Sequence, residues 1–184
     1  MNAPKRLKIR LPLLAPNDFD IASIIPVFHR WIHNKSVPGL LIDVADYKHV
    51  PNGPGILLIG DEGDYSLDQA DGRLSLVYDR KRQTGSELSE SIRLVMEGVT
   101  AARRALEAET ELGLRVADEA IQIIILDRLQ YPNNAEIFDS VKGAVGAVVA
   151  SAHGHADVDL THVVTDPRRP LTIEIQLERT LVAV

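Results

Sequence analysis

The sequence predicts an α+β fold: a mixed or largely antiparallel sheet with two long helices and one short helix packed on it. Three observations carry this expectation. Short apolar or alternating runs recur through the first half of the chain, two long segments carry apolar residues at helical spacing, and the chain finishes on two strand-like runs joined by a five-residue turn. A strand-rich first half and a terminal hairpin favour this arrangement over a regular doubly wound parallel sheet. The expected order is β-α-β-β-β-α-β-α-β-β, with residues 1-184 forming a single domain.

Leu7, Ile9, Leu11 and Leu13 alternate with Lys8, Arg10 and Pro12, the period of a strand with one buried face; Pro12 belongs at an edge or end because it lacks a donor. A short helix follows from about Ile24 to His33, with Ser23 as its cap and Pro26 in its first turn. Val27, Phe28, Trp31 and Ile32 form its buried face, leaving His29, Arg30 and His33 to face outward or toward a neighbour. Leu40 to Val44 and Ile56 to Ile59 are continuous apolar runs that read as strands covered on both sides. Leu74 to Tyr78 is the next strand, separated from them by the acidic segment DEGDYSLDQADGR.

Leu88, Ile92, Val95, Met96, Val99, Ala102 and Leu106 mark the clearest helix, ended by Gly113 and opened by a Thr84/Glu87 capping box. Ile121 to Leu126 is the most strand-like run and belongs in the middle of the sheet. Tyr-Pro-Asn-Asn then opens a helix from about Ala135 to Ala152, in which Gly143 and Gly146 imply a close neighbour. Val158 to Thr165 and Leu171 to Glu178 complete the sheet.

Composition narrows function. Hydrophobic residues are 45% and charged residues 25%, ordinary for a globular chain, and there is no cysteine, which excludes disulfides and thiolate chemistry. A net charge of −6 and only 4% aromatics argue against a nucleic-acid partner. No run approaches the ~20 apolar residues that span a bilayer, so the expectation is a cytoplasmic protein with no membrane partner.

The densest grouping of reactive side chains is LLIDVADYKHVPNGPGILLIGDEGDYSLD, Leu40 to Asp68. Its Pro-Asn-Gly-Pro-Gly turn brings Asp43, Asp46, Tyr47, His49 and Asn52, with Asp61, Glu62, Asp64 and Tyr65, to strand ends. If those ends are neighbours, His49 serves as general acid or base, and Asp43 and Asp61 position it. Asp61, Glu62 and Asp64 would hold a divalent cation: magnesium or calcium by oxygen alone, manganese, iron or zinc if His49 joins. Solvated carboxylates organising their own loops are the commoner outcome of such a pattern. Arg80, Lys81 and Arg82 precede a helix and suit a phosphate or carboxylate.

Two further histidine sites stand out. His153 and His155, with Asp157 and Asp159, have spacing for a metal, although capping of the helix end is the commoner explanation of the histidines. His162 falls in the apolar register of its strand, as a hydrogen-bonded core residue or a group facing a cleft. The leading expectation is binding of a small anionic ligand, with or without a divalent cation, through the His49 loop, the acidic segment and Arg80 to Arg82. The alternative is a non-catalytic homo-oligomeric assembly protein that buries its sheet edges between copies.

Overall fold

The computed structural model describes residues 1–82, 85–117, 121–153, 158–164 and 166–176. Its strands are β1 (Leu7–Leu14), β2 (Leu41–Tyr47), β3 (Gly55–Gly60), β4 (Gly63–Asp68), β5 (Ser75–Arg80), β6 (Arg115–Val116), β7 (Ile121–Ile125), β8 (Asp159–His162) and β9 (Leu171–Gln176). The helices are α1 (Ile24–Asn34), α2 (Leu88–Ala108) and α3 (Ala135–His153). Among the described residues every strand pairing is antiparallel, in the order β2-β3-β4-β5-β1-β7-β9-β8, with β6 on the end of β1. The α+β expectation, with two long helices and one short, holds.

Register explains the layers. Leu7, Ile9 and Leu11 of β1 lie beside Tyr78 and Leu76 of β5 and Ile123 and Ile125 of β7. Tyr65 and Leu67 of β4 continue that face to Ile56 and Leu58 of β3, and Ile173 and Ile175 of β9 continue it the other way. These residues share one core with Val27, Phe28 and Trp31 of α1, Ile92, Val95 and Val99 of α2, and Val141, Val145 and Val149 of α3. Burying that aliphatic area is the main stabilising term. The opposite face carries Lys8, Arg10, Asp64, Asp68, Asp79, Gln122 and Glu174, none of which joins this core. It is laced by charge pairs instead, Arg6 and Lys8 to Asp79 and Arg10 to Asp68.

Four local expectations are corrected. The acidic segment is not a connector, because β4 runs through it: Tyr65 and Leu67 face the helices while Asp64, Ser66 and Asp68 face the other way, the alternation of a half-polar strand. β2 is not covered on both sides; it is an edge strand of exposed and half-buried residues, with a bulge between Leu41 and Asp43. Ser23 occupies the cap position of α1 without a side-chain bond, and Asp20 caps the preceding 3-10 turn instead. α2 stops at Ala108, before the separate 3-10 turn Thr110–Leu112 that ends at Gly113.

Glu87 sits at the cap position of α2 without a capping bond, while Glu90 reaches back to accept the Ser86 N–H at 3.2 Å; Thr84 lies outside the described residues. Residues 1 to 3 fasten the same end, with Ala3 N–H donating to Ser86 and Leu88 N–H to Met1. On α3, Gly146 approaches Leu160 of β8, whereas Gly143 faces open space, so only one of the two glycines answers to a close neighbour. The helix-ward ring pair Tyr65 and Tyr78 stacks at 4.5 Å, and burial pushes both phenols above their ordinary pKa. Tyr65 stays neutral and donates to the Pro38 carbonyl at 2.9 Å.

Candidate functional site

The hairpin of β2 and β3 places Tyr47 opposite Gly55 and Leu41 opposite Gly60. The loop carrying His49 and Asn52 is therefore at one end of this hairpin and the turn carrying Asp61 and Glu62 at the other, separated by a strand length of roughly 17–20 Å. His49 is exposed and stacks on Tyr47 with ring centres 6.4 Å apart. Asp46 accepts the Lys48 N–H at 3.0 Å and Asp43 accepts the Val44 N–H at 2.8 Å, so both carboxylates serve local backbone. Asn52 takes the left-handed conformation, φ 55°, in the turn. It lines a 210 Å³ hollow with Lys48, Val50 and Gln69. Tyr65 is in the core.

At the far end the acids and bases meet one another. Asp61 pairs with Arg82 at 2.6 Å, Asp64 with Lys81 at 2.8 Å and Glu62 with Arg80 at 3.6 Å. The pairing of Gly63 with Arg80 brings the two segments together, so the sequence-expected cation site and anion site act as mutual counter-ions. Among the described residues no three His, Asp or Glu side chains converge closely enough to hold a metal ion. Residues 154–157 of the His153–Asp159 motif lie outside the described residues.

A different cleft forms at the end of the sheet where β1 starts, β7 ends and β9 starts. Leu7 pairs with Ile125, and Ile125 with Leu171, which sets residues 5–6, 126–133 and 167–168 side by side. The resulting cavity of about 530 Å³ is lined by Lys5, Arg6, Arg128, Arg168 and Asp127 over apolar Leu126, Leu129, Pro132 and Pro167, with Asn133. Its volume lies in the range of small-molecule sites.

Each wall is held. Arg6 grips Asp79 through Nε at 3.0 Å and Nη2 at 2.9 Å, a fork that keeps the guanidinium at the rim and raises its pKa further. Arg128 donates to the Arg168 carbonyl, tying the loop after β7 to the turn before β9. Arg168 forks onto Asp166 through Nε at 3.1 Å and Nη2 at 3.0 Å, and this charge holds the Asp166 carboxyl below its usual range. Asp127, the one acid among the described residues of the lining, accepts the backbone N–H groups of Lys5 and Gln130.

Behind the cleft, buried Asn133 donates to the Asp166 carbonyl at 3.3 Å, and its amide oxygen lies 2.7 Å from His162 Nε2. An amide oxygen only accepts, so the imidazole proton is on Nε2. Phe138 stacks on that imidazole at 5.0 Å and 7°. His162 is thus hydrogen-bonded but half-buried and outside the core cluster, and it touches the cleft only through Asn133. Buried Tyr131 donates to the Asn2 carbonyl and anchors the loop from below.

The basic cleft residues were not singled out in the sequence. They come from three distant segments, and the signals present were the basic opening of the chain and the turn at Tyr-Pro-Asn-Asn. No family model and no curated protein matches the chain. No helix of the described residues is long and apolar enough to cross a membrane.

Proposed function

We propose that the chain binds a small anionic molecule in the cleft formed by residues 5–6, 126–133 and 167–168. The observation that carries the reading is the convergence of Lys5, Arg6, Arg128 and Arg168 on one concave surface: Arg6 is paired with Asp79 and Arg168 with Asp166, while Lys5 and Arg128 make no ion pair among the described residues and Asp127 is engaged by backbone. In a chain of net charge −6, that local excess favours a compact anion over an extended polyphosphate backbone. The segment from Asp61 to Arg82 is the weaker seat, since each of Arg80, Lys81 and Arg82 faces a carboxylate, whereas only Arg6 and Arg168 of the four cleft cations do. His162 is not among the residues lining the cleft, so the reading is of binding, with no residue assigned to catalysis.

Millimolar inorganic phosphate is expected to raise the melting temperature. At a hundred times its Kd the gain is about 2.7 kcal/mol, roughly 5–10 °C for a chain of this size. Arg128→Glu should cut that affinity at least about tenfold, the effect of reversing a charge beside an anion. Arg82→Glu, at the distant hairpin, should leave it unchanged. The opposite pattern would move the site to the 61–82 segment, and equal shifts in all three proteins would reduce the effect to general salt stabilisation.

A second reading is supported by the surface near β2. Leu40, Ile42, Tyr47 and Val50 are exposed within or beside that strand, the apolar signature of a contact between copies. The bulge and the Asp43 carboxylate on Val44 N–H disfavour direct strand pairing, so such a contact would form through side chains. Light scattering should then show dimers at high concentration that Ile42→Lys dissociates. A strictly monomeric wild type would remove this reading.

A further inference from the structure

We infer that the ligand of the cleft is an organic phosphate, a phosphoryl group carrying an apolar or planar body, and that Leu129 recognises the body. This deepens the anion reading of the cleft and rests on it. The cavity, about 530 Å³, is several times larger than an inorganic oxyanion, and four of its lining residues, Leu126, Leu129, Pro132 and Pro167, are apolar. A bare anion would satisfy the cations and leave that wall wet.

Leu129 is 97% exposed, flanked in the chain by Arg128 and placed at the rim with Arg168. It contributes almost nothing to the core, whereas an organic substituent attached to a bound phosphoryl group would cover it. Pro132 and Pro167 bound the same wall with fixed φ, so its shape is set before the ligand arrives. The loop bearing Leu129 is itself anchored, by Arg128 on the Arg168 carbonyl and by Tyr131 on the Asn2 carbonyl. The phosphoryl group can belong to a soluble ester or to a lipid headgroup; both present the same charge beside an apolar body.

Calorimetry with inorganic phosphate and phenyl phosphate, and co-sedimentation with phosphatidylcholine vesicles with and without phosphatidic acid, separate the cases. Phenyl phosphate is expected to bind about tenfold more tightly than inorganic phosphate, the ratio given by covering part of a leucine and a ring. Leu129→Ser should remove about fivefold of that preference, read as the ratio of the two affinities, while the melting temperature of the ligand-free protein holds because the side chain is solvated there. Sedimentation with phosphatidic acid vesicles that Leu129→Ser abolishes would assign the phosphoryl group to a lipid, and its absence alongside tight phenyl phosphate binding would assign it to a soluble ester. Phenyl phosphate and phosphatidic acid binding no better than inorganic phosphate would overturn the inference and leave the anion site standing. No binding of any of the three would remove both.

Discussion

Asp68→Ala is expected to lower the unfolding free energy by about 3–5 kcal/mol, the cost of removing one member of a buried ion pair. Both Asp68 oxygens lie 2.9 Å from Arg10 Nη2, and the two side chains are 6% and 12% exposed. The same carboxylate accepts the Ala70 N–H at 3.3 Å and so also holds the turn leaving β4. Alanine takes away both services and leaves the guanidinium of Arg10, 12% exposed, with only its remaining contacts. Replacing the pair together, Arg10→Met with Asp68→Leu, should recover most of the loss, because the desolvation cost of both charges disappears with them. Urea unfolding followed by fluorescence of Trp31, the single tryptophan, measures each difference. A loss under about 1 kcal/mol for Asp68→Ala would put the carboxylate in the class of solvated surface pairs.

Gly98→Ala should destabilise by about 2–3 kcal/mol although alanine is the better helix former by up to about 1 kcal/mol. A Cβ at Gly98 would lie 2.5 Å from Cε1 and 2.7 Å from Cδ1 of Tyr78. The ring has no room to retreat, since Tyr65 stacks on it and a Cβ on Gly63 would stand 2.8 Å from it. Gly143→Ala on α3 is the internal control: it meets nothing within 4 Å and should stabilise by up to about 1 kcal/mol. Adding Tyr78→Leu to Gly98→Ala should cost less than the sum of the two changes, because they act through one contact. Melting temperatures of equal sign for the two glycine variants would show that helix propensity, not the ring, decides the outcome.

The sequence carried the periodic elements and lost the ones whose meaning depends on neighbours. α2 and α3 were legible because their apolar residues repeat at helical spacing. β7 was legible as an interior strand, and it lies between β1 and β9. β4 was misread because Asp64, Ser66 and Asp68 outnumber Tyr65 and Leu67, and the polar residues drew attention from the alternation. Only the pairing with Lys81, Arg10 and their strands shows where those acids go. β2 looked covered on both sides because Leu40 to Val44 reads as an apolar run, yet at the edge of the sheet its residues are exposed or half-buried. The first candidate site joined residues close in sequence, such as His49 and Asp61, that a hairpin separates by its own length. The cleft joins Lys5, Arg128 and Arg168, which only the order β1-β7-β9 makes adjacent.

β1 lies in the interior of the sheet although it precedes every other described strand in sequence order. The meander from β2 to β5 closes through turns between successive strands and needs no other part of the chain. β1 must reach across it to β5, as Arg6 does to Asp79, 73 positions away. Its other flank stays open until residues 121–125 have been made. Such distant pairings form late, because chain closure comes before any contact rewards it. β1 thus keeps one flank open after the meander beside it has closed, and Lys8, Arg10 and Pro12 keep it from joining a stranger's ladder while it waits for β7.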